Sequence, residues 1–106
     1  VGSIEYKSWK DYLSTTDMKN LEKKGAVGHI GGHFYDQDGN EVKTPFVGKM
    51  IGLGIQDIKK TKNVVCVAGL EMKAEAILGA IRGGYIKTLI TDESAAKKIL
   101  LLNRES

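Results

Sequence analysis

The clearest hydrophobic pattern lies in the second half of the chain. Val64, Val65, Cys66, Val67 and Ala68 form an unbroken apolar run. A β-branched run without alternation predicts an interior strand of a parallel sheet, covered on both faces. Gly69 ends it. From Glu71 to Arg82, apolar positions recur at Ala74, Ile77, Leu78 and Ile81. This spacing of i, i+3, i+4 and i+7 predicts an amphipathic helix, stopped by Gly83 and Gly84. Tyr85 to Thr91 reads as the next strand. Asp92 then caps a last helix through Leu102, with Ala95, Ala96, Ile99 and Leu100 facing inward. The order strand, helix, strand, helix predicts parallel strands joined by a right-handed crossover. The expected fold class is α/β, and ligands of such sheets bind beyond the carboxyl ends of the strands.

The first half is more polar and richer in turns. Ser8 to Leu13 reads as a short helix or turn, with Trp9 and Tyr12 placed to pack on a sheet. Thr16 and Asp17 are a plausible N-cap pair for a helix over Met18 to Lys24, which Gly25 stops. Ala26 to Tyr35 is glycine-rich and reads as a loop leading into a short strand. Asp36 to Asn40 is a turn sequence, and Glu41 to Thr44 returns as a second strand that Pro45 ends. Met50 to Leu53 reads as a further strand, and Ile55 to Lys60 as a short helix with Ile55 and Ile58 inward.

Composition narrows the function classes. With 106 residues the chain has room for one domain, and 42% hydrophobic with 27% charged residues argues against disorder. A net charge of +3 comes with scattered lysine pairs at Lys23-Lys24, Lys59-Lys60 and Lys97-Lys98. These read as solvated helix faces, so direct nucleic-acid binding is disfavoured. One cysteine permits no internal disulfide, and mid-strand Cys66 reads as an inert buried thiol. Two histidines with one cysteine exclude a Cys/His zinc cluster. No cofactor is expected. No apolar run reaches the roughly 18–20 residues of a membrane span, so no membrane partner is expected either. The opening Val1-Gly2-Ser3-Ile4 reads like the end of a buried strand, and predicts a piece of a longer polypeptide.

Two segments carry candidate chemistry. At Gly69-Leu70-Glu71-Met72-Lys73 a buried strand gives way to a helix within a few residues. Free N–H groups at a helix start attract anions, and Lys73 in the first turn would bind a phosphate. The local pattern by itself favours the blander reading, an exposed lysine offset by Glu71, because no Walker-type or dinucleotide fingerprint is present. Gly25 to Asp36 holds glycines that allow close backbone approach, with His29 and His33 as hydrogen-bonding groups or as solvated side chains. No carboxylate stands at convincing ligand spacing, so a metal site is rejected. Thr91-Asp92-Glu93 sits at a strand end, and reads as a helix cap before a ligand group. No nucleophile–base pair gives a catalytic signature.

Gly25-Ala26-Val27-Gly28-His29-Ile30, followed by Phe34-Tyr35-Asp36 and Asp38-Gly39, resembles a glycine-rich stretch of SorC-type bacterial transcriptional regulators. So do Val67-Ala68-Gly69 with Lys73-Ala74-Glu75-Ala76-Ile77, then Arg82-Gly83-Gly84, Leu89-Ile90-Thr91-Asp92-Glu93 and Val1-Gly2-Ser3-Ile4. The resemblance implies a Rossmann-like parallel sheet with flanking helices, similar to ribose-5-phosphate isomerase and glucosamine-6-phosphate deaminase type folds. It implies that residues 1–106 are the C-terminal portion of an effector domain. A phosphorylated sugar would be the effector, and operator DNA would be bound through an N-terminal domain absent here. The protein would be cytoplasmic, homo-oligomeric and not an enzyme. By position, Lys73 falls on the lysine that contacts the effector phosphate, with Gly69 in the turn before it. His29 replaces an acid that bonds a sugar hydroxyl, Gly2 and Ser3 fall near the sugar, and Lys7 or Lys10 would add a cation. Leu70 replaces a second glycine and makes the turn bulkier. An isomerase or deaminase of the same fold is the alternative, but no acid stands in the glycine-rich stretch to act as its base.

Overall fold

The computed structural model describes residues 2–3, 15–43 and 54–105. Expectations for Ser8 to Leu13, Pro45 and Met50 to Leu53, and for Lys7 and Lys10, lie outside these residues. Two sheets organise the described chain. A four-stranded antiparallel sheet runs in the order β1 (Gly2–Ser3), β2 (Ala26–Ile30), β3 (His33–Asp36) and β4 (Glu41–Val42). A parallel pair joins β5 (Val65–Val67) to β6 (Thr88–Ile90), with Cys66 opposite Leu89. Four helices flank them: α1 (Thr15–Lys23), α2 (Ile55–Lys60), α3 (Ala74–Arg82) and α4 (Glu93–Glu105). A 3-10 turn over Glu71–Lys73 leads into α3.

The glycine-rich segment is a hairpin, not the expected loop. Gly31 and Gly32 form its tip, with φ of +56° and +83°. Two positive φ values are what a two-residue hairpin turn following the strand twist requires, and Gly-Gly supplies them without strain. A bulge between Ala26 and Gly28 shifts the register at the open end of the hairpin, away from the tip. Alternation then splits the hairpin's two faces. Phe34, Ala26 and Val42 pack with Leu21 of α1, while Tyr35 joins the main core against α3. The Tyr35 hydroxyl donates to the Ala76 carbonyl at 2.6 Å. Gly28 stands opposite Tyr35, and a Cβ there would lie 2.6 Å from the Ala76 Cβ. The hairpin thus seats directly on α3.

The next turn docks by the same device. Asp36 Oδ1 accepts from the N–H groups of Asp38 and Asn40, fixing the expected turn. Its Gly39 lies so near Gly83, at the end of α3, that a Cβ would sit 2.1 Å from the Gly83 nitrogen. The Tyr85 hydroxyl donates to the Gly39 carbonyl. Helix α3 is buried almost all round, because the hairpin covers one side and α4 another.

Several positions differ from expectation. Val65 and Val67 are 56% and 75% exposed, with only Cys66 between them buried. Among the described residues, β5 is therefore covered on one face and paired on one edge. Tyr85 and Ile86 are buried without being strand, because Tyr85 N–H bonds back to Ala80 and closes the end of α3. Ile81 is exposed, since the elements on α3 close around the opposite side of that turn. Leu100 is also exposed, because the inward line of α4 runs through Ala95, Ile99 and Leu102. His33 is buried beside Glu41, its Nδ1 at 3.5 Å from the carboxylate, and is not a solvated loop histidine. No helix among the described residues is long and apolar enough to cross a membrane.

Candidate functional site

The parallel pairing of β5 and β6 brings two strand ends side by side. Beyond them lies a cavity of about 500 Å³, lined among others by Gly69, Leu70, Lys73, Thr91 and Asp92. Both candidate segments of the second half therefore meet at one place. This is where an open α/β sheet presents the carboxyl ends of its strands, and the volume suits a small molecule.

Asp92 does two jobs there. As the N-cap of α4, its Oδ1 accepts from Ala95 N–H at 2.8 Å and from the Ser94 hydroxyl at 2.9 Å. Its Oδ2 reaches across to the other loop and accepts from Leu70 N–H at 2.7 Å. The Ala95 and Leu70 N–H groups, with the Ser94 hydroxyl, hold its carboxyl below the usual carboxylate range. The clasp explains Gly69, where a Cβ would stand 2.4 Å from Asp92 Oδ2. It also coincides with an unusual backbone. Leu70 has φ 76° and ψ 136°, a conformation that costs a leucine about 1–3 kcal/mol. The cap reading of Asp92 was available from sequence; the second bond was not.

Lys73 is half-buried at the junction of the 3-10 turn and α3, its N–H bonded to the Leu70 carbonyl at 3.0 Å. His29 and Gly2 are not among the residues that line this cavity, and the paired strands β1 and β2 bring His29, Gly2 and the Ser3 backbone together in the four-stranded sheet. Gly2 pairs with His29 and Ser3 with Gly28. A Cβ on Gly2 would lie 2.3 Å from His29 Nε2, so the imidazole rests on the Gly2 backbone. Strand β1 also touches the 3-10 turn that carries Lys73. Burial, helped by nearby positive charge that includes Lys73, pushes His29 down to about 4. The imidazole is therefore neutral at pH 7, and offers one N–H donor and one acceptor nitrogen.

Comparison with known proteins agrees with this architecture. Residues 1–101 match the family model described as "Putative sugar-binding domain". The chain belongs to this sugar-binding-domain family. Transcriptional regulator LsrR of Escherichia coli K12 is 46% identical over 79 residues, covering 74% of this chain and 25% of that protein. The uncharacterized transcriptional regulator YjhU of the same strain is 34% identical over 88 residues, covering 83% and 27%. The chain spans about a quarter of the length of these curated relatives. A transcriptional regulator from Streptococcus pneumoniae superposes with a TM-score of 0.89 at 30% identity, over 97% of this chain and 40% of that one. The full-length sorbitol operon regulator SorC from Klebsiella pneumoniae gives 0.84 at 28% identity, over 95% and 33%. The resemblance to SorC-type regulators, the α/β class and the partial-domain character are thereby borne out.

Proposed function

We propose that this chain is the effector-sensing part of a DNA-binding transcriptional regulator, and that it binds a phosphorylated sugar. The observation that carries the reading is Lys73 in the cavity beyond the two parallel strand ends, within a chain of the sugar-binding-domain family. Lys73 supplies the cation for a phosphate, and Gly69 lets the turn come close to it. His29 hydrogen-bonds a sugar hydroxyl, with Gly2 and Ser3 beside the same sugar. The protein works as a homo-oligomer on operator DNA, which a separate domain holds.

The acid–base properties favour sensing over catalysis. An isomerase or deaminase needs a base poised near the working pH. Asp92 is held below the carboxylate range by its three donors, and His29 titrates near 4. Neither is poised as a base near neutral pH, which supports the sensing reading.

The test uses the full-length protein with Lys73→Ala and a panel of sugar phosphates, read by calorimetry. A charge-assisted contact of this kind is worth about 1.5–3 kcal/mol, so affinity should fall roughly ten- to hundredfold. Stability without ligand should barely change, since alanine favours helix and a lysine near a helix start opposes the dipole. Unchanged affinity would remove the phosphate role, and turnover of any member of the panel would restore the enzyme reading.

A further inference from the structure

Leu70 is the residue of the cavity that its local backbone least accommodates. It has a positive φ, yet it carries a branched four-carbon side chain, 59% exposed, on the cavity wall. Glycine would adopt the same backbone without strain. The conformation is held from outside. Asp92 Oδ2 grips the Leu70 N–H, and Gly69 leaves the space this grip needs. The Leu70 carbonyl in turn accepts from Lys73 N–H. The backbone that carries this side chain is thus held one turn from Lys73, and both residues line the same cavity. An apolar group carried on a fixed backbone at that position limits the bulk that a ligand can carry next to the atom Lys73 binds.

Resting on the phosphate reading above, we infer that Leu70 is a specificity-determining residue. It admits sugars whose phosphate sits on a primary CH2 group and rejects those whose phosphate sits on a ring carbon. A primary phosphate ester has a slim methylene beside the phosphorus. An anomeric phosphate places a ring carbon, ring oxygen and neighbouring hydroxyl there. Both ligands have the same charge, so Lys73 cannot tell them apart, whereas an adjacent isobutyl group can.

The experiment compares glucose 6-phosphate with glucose 1-phosphate, and ribose 5-phosphate with ribose 1-phosphate, by calorimetry on the full-length protein. Leu70→Ala removes the bulk and keeps a Cβ on the strained backbone. Leu70→Gly removes the bulk and relieves the strain as well. The parent should prefer the primary phosphates by about tenfold or more, as small steric differences in a pocket give. Both variants should lose most of that preference while keeping affinity for the primary esters within a few-fold. A preference that survives in both variants, or is absent in the parent, overturns the assignment of Leu70 alone. A change in Leu70→Gly but not in Leu70→Ala overturns it in favour of backbone conformation. A parent that binds none of the four sugars overturns this inference together with the phosphate reading, a failure that no Leu70 variant produces by itself.

Discussion

At the scale of single residues, Asp92 shows how one carboxylate ties chain segments that are distant in sequence. It caps α4 and clasps the loop after β5. Its folded-state titration lies below the ordinary value, so its contribution to stability is present above the unfolded carboxyl range. That contribution is lost as pH falls through the folded value. Asp92→Asn keeps a competent N-cap but loses the charge. The variant should melt below the parent at neutral pH, and the gap should narrow as acidification takes the parent carboxyl through its lowered folded-state value. Thermal melts across that range check this, and a gap independent of pH contradicts it. The cap was legible, because aspartate before an apolar helical period is a strong signal. The clasp was not. It depends on two loops meeting, and on a leucine adopting a backbone that leucine ordinarily avoids.

At the scale of elements, the hairpin on α3 teaches the opposite lesson. Its signal was in the sequence, since Gly31-Gly32 between β-forming residues is a recognised hairpin tip. Four glycines in eight residues, Gly25, Gly28, Gly31 and Gly32, instead suggested a loop. Their jobs differ. Gly25 ends α1 at φ +80°, Gly28 admits Ala76, and the last two make the turn. Periodicity served better for α2, where Ile55 and Ile58 are buried as expected, and for the inward face of α3. The Tyr35 hydroxyl joins the hairpin to α3 at a buried carbonyl. Tyr35→Phe removes this second bond from a carbonyl that keeps its place in the α3 ladder, and it keeps the ring packing. It should destabilise the protein by about 0.5–1.5 kcal/mol. Chemical denaturation of parent and variant measures this, and equal midpoints with equal slopes would show that the bond contributes nothing.

At the scale of the whole molecule, the parallel pair presents an uneven surface. Cys66 faces the core, while Val65, Val67 and Ile90 stand exposed on the sheet and Leu70 continues the apolar surface at its end. The unbroken apolar run had suggested cover on both faces, and the described residues supply it on one. Among the described residues β5 and β6 pair only with each other, and exposed apolar strands with free edges favour association, through both buried area and edge pairing. The 106-residue chain on its own should therefore self-associate with rising concentration, and its melting temperature should depend on concentration. Val67→Thr combined with Ile90→Thr keeps the β-branched shape while making the face polar. Neither side chain is part of the buried core, so the double variant should retain the parent's circular dichroism spectrum and remain smaller in solution. Sedimentation velocity over a wide concentration range decides the matter. A parent chain that stays a monomer throughout, with a melting temperature independent of concentration, would mean that this face is stable in water as it stands.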